Sequence, residues 1–230
     1  MYLLKRIALA FLLCVYLPGV SAQEKFTTDL IPRSVLFGNP ERSNPSISPD
    51  GKQLGYLAPV DGVLNVWIRT LGKTDDRPVT QDTHRGIRNF LWQYDNQHIL
   101  YLQDKGGDEN WRLYQTDIAS KETKDLTPFE KVRVDLLAYR WNFPDTILVA
   151  MNQRDPKVFD VHRIDLKTGK IELDTQNPGD VGDWSVDNAL QVRAAQVQTD
   201  DGGTIIRVRD NTKSPWRELI KWGPERPSAE

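Results

Sequence analysis

"SISPDGKQLGYLAP", residues 46–59, is the stretch on which the reading of the fold turns. Pro49 suits a pre-set turn position, Asp50 can bond back to nearby backbone, and Gly51 can take the left-handed conformation without steric cost. That is hairpin chemistry, with a bulge-type glycine closing the loop. Leu54, Tyr56 and Ala58 then alternate with Gln53, Gly55 and Leu57, the period of two expected of a strand. "NVWIRT" (65–70) alternates again, and "RPVT" (77–80) closes the unit.

The same order returns along the chain. "LWQYDNQHILYL" (91–102), "WRLYQTDIAS" (111–120) and "KDLT" (124–127) make a second copy. "YRWNFPDTILVAM" (139–151), "VHRIDLKTGK" (161–170) and "IELD" (171–174) make a third. A weaker fourth runs "DWSVDNALQVRAA" (183–195), "GGTIIRVRD" (202–210) and "WRELI" (216–220). The matched anchors Trp67, Tyr114, His162 and Ile206 are spaced by 47, 48 and 44 residues. A steady period of this size, built from short strands and turn signals, is the sequence form of a β-propeller blade. An ordinary sandwich also shows frequent turns, but has no reason to repeat the order of corner, alternating strand, Asp-rich turn and closing Thr. The predicted fold class is therefore all-β, a partial β-propeller of about four blades, at residues 45–82, 88–129, 136–177 and 182–222. Blade-to-blade stacking is expected to bury Trp67, Ile99, Tyr114, Ile147, Ile164 and Ile206. The seven tryptophans read mostly as core or rim packing.

The first 22 residues read as a signal peptide: Lys5 and Arg6 precede an apolar run, Ile7 to Leu17, then Pro18, Gly19 and the small residues Ser21 and Ala22. The run is shorter than the ~20 residues a membrane span needs, so cleavage is expected over retention as an anchor. This predicts a periplasmic or secreted chain with no membrane span after cleavage. Residues 23–44 read as a connecting segment with a helical turn around Ser34 to Phe37, and 225–230 as a tail. The chain has 30 basic and 32 acidic residues, a net charge of −2, and loss of Lys5 and Arg6 makes it more acidic. Without a basic stripe, nucleic-acid binding is not expected. The one cysteine, Cys14, lies in the signal segment, so no disulfide is expected.

Together, "IPRSVLFGNPERSNPSISPDGKQLGYLAP", "GVLNVWIRTLGK", "RPVT", "GDENWRLYQTDIASKETKDLTPF" and "NPGDVGDW" resemble the N-terminal propeller of the prolyl oligopeptidase family of serine peptidases. The branch they resemble most is that of bacterial acylaminoacyl-peptidases and dipeptidyl-aminopeptidase-like enzymes. The resemblance runs from about Leu30 to Pro224. It implies a propeller that covers the cavity of an α/β-hydrolase domain and restricts entry to short peptides. The family propeller commonly has seven or eight blades, so four is a departure.

The catalytic chemistry of that family is not written in this stretch. Its nucleophile sits in Gly-x-Ser-x-Gly, and here only Gly19 has a serine two positions on, without the second glycine. His84, His98 and His162 are scattered over predicted blades, and zinc spacing is missing. No catalytic, metal or cofactor-binding residue is therefore assigned, and no cofactor is expected. "DKGGDENW" (104–111) reads as a Gly-Gly hairpin loop with solvated acids rather than a calcium loop. The residues singled out for substrate gating are Arg85 and Arg88 of "HRGIR", Arg133, and the acids Asp108 and Glu109. Arginines at a cavity mouth suit a peptide carboxylate. Paired acids from the propeller hold a substrate's amino group in dipeptidyl-peptidases of this family, although Asp108 and Glu109 do not match the extended acidic motif.

The expectation is a non-catalytic gating portion of an exported peptidase, with short peptides or an α/β-hydrolase domain in trans as partners. The alternative is a stand-alone periplasmic propeller that binds proteins or peptides. Open blade faces would favour self-association in either case.

Overall fold

The computed structural model describes residues 31–224. The predicted signal peptide, the start of the connecting segment and the final residues lie outside them. The chain divides into two units, Met1–Gly38 and Asn39–Glu230. The described part of the first carries one short helix, α1 (Arg33–Phe37), where the helical turn was expected. No helix among the described residues is long and apolar enough to cross a membrane.

The second unit is four antiparallel sheets of four strands, each a simple meander. Sheet I comprises β1 (Ser43–Ile47), β2 (Gln53–Val60), β3 (Val63–Thr70) and β4 (Arg77–Pro78). Sheet II comprises β5 (Leu91–Trp92), β6 (His98–Gln103), β7 (Arg112–Asp117) and β8 (Thr123–Asp125). Sheet III comprises β9 (Val134–Tyr139), β10 (Thr146–Asp155), β11 (Val158–Asp165) and β12 (Ile171–Thr175). Sheet IV comprises β13 (Val181–Val186), β14 (Val192–Gln198), β15 (Thr204–Val208) and β16 (Arg217–Trp222).

The hydrophobic residues explain why the sheets stack in series. One cluster joins Leu57, Val66 and Ile68 of sheet I to Trp92, Ile99 and Tyr101 of sheet II. A second joins Leu100 and Leu113 to Ile147, Val149 and Ile164 of sheet III. A third joins Leu148, Ala150 and Val161 to Trp184, Ala195 and Val197 of sheet IV. Strand period sends alternate side chains to opposite faces. Thus Ile147, Val149 and Met151 of β10 pack towards sheet II while Leu148 and Ala150 pack towards sheet IV. No sheet could bury both faces alone; each neighbour dries one.

The opening corner is held as its residues predict. Gly51 adopts φ +71° and donates to the Ser48 carbonyl at 2.8 Å. The Ser48 hydroxyl accepts from Gln53 N at 2.9 Å. Asn96 (φ +60°) turns the equivalent corner of sheet II, where Asp95 accepts from the backbone of Gln97 and His98. Asp50 N donates to Asn96 Oδ1 at 2.9 Å, tying the two corners together. The recurring Thr also has a reason. Thr80 and Thr127 are buried, and their hydroxyls accept from Val66 N and Leu113 N, each at 2.9 Å.

Three aromatic side chains clasp one sheet to the one before it. Trp92 Nε1 donates to the Ser46 carbonyl at 3.1 Å and Trp184 Nε1 to that of Phe159 at 3.0 Å. The Tyr139 hydroxyl accepts from Tyr94 N at 2.9 Å. Gly55 is required by this packing: a β-carbon there would lie 2.8 Å from Phe90 Cε2 and 3.0 Å from Trp92 Cζ2.

Three expectations need correction. Ile99, Ile147 and Ile164 are fully buried between sheets and Tyr114 packs half-buried against the first cluster, but Trp67 and Ile206 are only half-buried. Trp67 lies opposite Val66 and Ile68, on the face of sheet I turned away from sheet II. In sheet IV the inward residue is Ile205, paired with Val197, whereas Ile206 pairs with Gln196 on the far face. The fourth anchor was therefore displaced by one residue, which reverses the face. Trp141, in the turn after β9, is 77% exposed and packs no core.

Candidate functional site

The first strand of each sheet is an edge strand, hydrogen-bonded on one side only. Along β1, β5 and β9 these edges border a trough. At one end is a hollow of about 300 Å³ between sheets II and III, lined by Arg88, Leu91, Trp111, Arg133, Asp135 and Leu136 among others. The adjoining hollow, about 490 Å³, reaches Ile47, Pro49, Tyr94, Tyr139 and Arg140. Leu91 and Leu136 line both, so the two hollows share an apolar floor. These leucines are 37% and 36% exposed, as is Ile47 more fully, so strand residues that would normally be covered here face the trough.

The structure separates the five gating candidates. Arg88 and Arg133 meet at the trough. The Arg88 guanidinium carbon stands 6.0 Å from the centre of the Trp111 ring, within range of a cation–π contact. Arg133 pairs with Asp135 at 3.0 Å, and both side chains are near half-exposed. Arg85 instead turns to Asp104, with contacts of 3.2 and 3.3 Å to its two carboxylate oxygens. Asp104 is almost wholly buried, so Arg85 neutralises a carboxylate that would otherwise be costly. Glu109 contributes only its backbone N–H to Asp104, at 3.3 Å, from a left-handed conformation.

Asp108 closes its own loop. Its carboxylate accepts from Asn110 Nδ2, Asn110 N and Lys105 N at 3.1, 3.1 and 3.2 Å. The Asn110 side-chain bond is the main reason its pKa lies below the usual carboxylate value. The two acids therefore do not converge as an amine-holding pair. Trp111, Tyr94 and the exposed leucines went unread as site residues, because only the fold brings them to the trough.

Three arginines, Arg88, Arg133 and Arg140, face one carboxylate, Asp135, along the trough. The lining contains neither histidine nor cysteine. Its chemistry is that of recognition: exposed strand edges can pair with an extended peptide, the leucines can shelter apolar side chains, and the guanidiniums can hold anions. At the far end, burial raises the Tyr139 hydroxyl pKa, so the group remains a neutral hydrogen-bonding clasp.

Stacked four-stranded meanders with a trough along their first strands define a propeller segment. No protein-family model matches the chain. It is 43% identical over 193 residues to dipeptidyl aminopeptidase BIII of Pseudoxanthomonas mexicana, covering 84% of this chain and 28% of that protein. It is 35% identical over 202 residues to dipeptidyl peptidase family member 6 of Caenorhabditis elegans, covering 84% of this chain and 27% of that protein. Among solved structures, a prolyl endopeptidase matches with a TM-score of 0.58 at 16% identity, over 78% of this chain and 28% of the other, a likeness of fold. The chain is thus homologous to peptidases of the dipeptidyl-peptidase kind, and the resemblance of its repeats to the propeller of the prolyl oligopeptidase family holds. It spans a little over a quarter of the length of the curated relatives it matches.

Proposed function

We propose that this chain is the substrate-gating propeller portion of an exported serine peptidase of the prolyl oligopeptidase type. It screens peptides by size and contact before they reach a hydrolase domain. The observation that carries the reading is the 43% identity over 193 residues to a dipeptidyl aminopeptidase. The trough supports it, since an open, apolar-floored groove without a nucleophile–histidine pair suits admission rather than cleavage. Export rests on the basic, apolar and small-residue order of residues 1–22.

Two measurements test this. The full chain, expressed in a bacterium with a periplasm, is expected in the periplasmic fraction with an N-terminus near residue 23. Retention in the cytoplasm with Met1 intact would remove the export half. The purified chain is then mixed with a separately produced hydrolase domain of the dipeptidyl aminopeptidase type. It should leave no turnover by itself, and should lower cleavage of long peptides while sparing dipeptide chromogenic substrates. Equal rates for long and short substrates, with and without the chain, would remove the gating half.

A further inference from the structure

We infer that the Arg88–Arg133 end of the trough is a subsite for a peptide bearing an apolar side chain next to a carboxylate. This rests on reading the chain as the peptide-screening part of a peptidase, and adds what the screen selects. Among the described residues Arg88 forms no ion pair; its one charge contact is the Trp111 face at 6.0 Å. Arg133 is paired, but with the half-exposed Asp135, a solvent-screened partner that an incoming anion can displace or share. The hollow therefore carries two guanidiniums and one carboxylate, a local positive balance within an acidic chain.

Asp135 is the one acid among the residues lining the hollow. Asp104, outside that lining, is neutralised by Arg85, and Asp108, also outside it, is held by the amides of its own loop. Glu109 is likewise not among the residues that line the hollow. Beneath the arginines lie Leu91, Leu102, Leu113 and Leu136, a floor for an aliphatic or aromatic side chain. A volume of about 300 Å³ admits one such side chain, not a folded protein. Arginine's planar fork suits a carboxylate better than any neutral group. The carboxylate can be the peptide's own C-terminus or the side chain of a following Asp or Glu.

Three probes separate the sources: N-acetyl-Phe-Phe as the free acid, the same peptide as its amide, and N-acetyl-Phe-Glu amide. Binding to the full chain is followed by NMR shifts of Arg88 Nε and Trp111 Nε1. The free acid should bind about tenfold tighter than its amide, an advantage that fades in high salt. If N-acetyl-Phe-Glu amide matches the acid, side-chain carboxylates are accepted; if only the acid binds tightly, the C-terminus is read. The double variant R88M/R133M should lose the tenfold preference yet still bind the amide, and L136D should weaken all three probes. Unchanged NMR dispersion in each variant guards against unfolding. Equal affinity for acid and amide, or a preference that survives R88M/R133M, overturns the inference while leaving gating untouched. Loss of gating with the preference intact would sink the gating reading alone.

Discussion

Sheets III and IV are neighbours of the same four-stranded topology, yet one is dry on both faces and the other on one. In sheet III, β10 runs Ile147-Leu148-Val149-Ala150-Met151 without a polar break, and every one of these side chains is buried. In sheet IV, β14 alternates: Ala195 and Val197 are buried against sheet III, while Gln196 and Gln198 are exposed. A continuous apolar run marks a strand covered on both sides, and alternation marks one with a wet face. The difference between two copies of one repeat is thus written in their composition.

Truncation should break this contrast most strongly. Leu148→Ala empties a fully buried site between sheets III and IV and should cost about 3 kcal/mol. Ile220→Ala, on the exposed outer strand of sheet IV, should fall within about 0.5 kcal/mol in the same urea titration. Equal losses would mean that the two sheets are not differently buried in solution.

A second substitution probes the polar seam at the edge of sheet III. Asp160 is buried and accepts Arg154 Nε and Nη2 at 2.8 and 2.9 Å and Asn177 N at 2.7 Å. Burial opposes its charge, but these bonds win and hold its pKa below the usual value. Asp160→Ala should destabilise by about 2 kcal/mol by leaving those donors unmet. A change below the precision of the denaturation curve would show the seam to be replaceable by water.

The contrast also predicts a pH effect. Burial between sheets II and III holds the His162 pKa below its ordinary 6.5, against the pull of the Asp160 carbonyl. The unfolded chain then binds more protons than the folded one once pH falls below that value. Stability should therefore decline as pH drops through about 6.5 towards the folded pKa. In His162→Gln that part of the decline should vanish, leaving only the carboxylate-driven loss at lower pH. An identical pH profile in the variant would refute the assignment.

The smallest effect sharpens the comparison from the other side. Gln196→Leu should change monomer stability by less than about 0.5 kcal/mol, since the position faces water. It would extend the apolar patch around Ile206 and Ile220 and promote self-association, visible by light scattering. A strictly monomeric variant would argue that the outward face of sheet IV is already covered.

Repeats and turns were legible because their chemistry is local: Asp50, Gly51 and the closing Thr80 act within a few residues or on the adjacent strand. The displaced anchor at Ile206 was not, because two consecutive isoleucines leave the strand's face undecided until pairing with Val197 fixes it. The site was half legible. The arginines could be picked out by type, but Arg85 and Arg88, three positions apart, part ways only when Asp104 and Trp111 arrive from the same distant loop. Leu91 and Leu136 could not be assigned to the site, since nothing in their own strands says that their shared side stays open.

The clasps by Trp92, Tyr139 and Trp184 fix more than stability. Each ties a rigid ring to a carbonyl or amide of the preceding sheet or its loop, so two consecutive sheets are held at a fixed polar contact. Shortening Tyr139 to phenylalanine would keep the packing yet release the Tyr94 amide, letting sheets II and III splay. The hollow above Leu91 and Leu136 would widen with that splay, so the width of the trough depends on one hydroxyl at its far end.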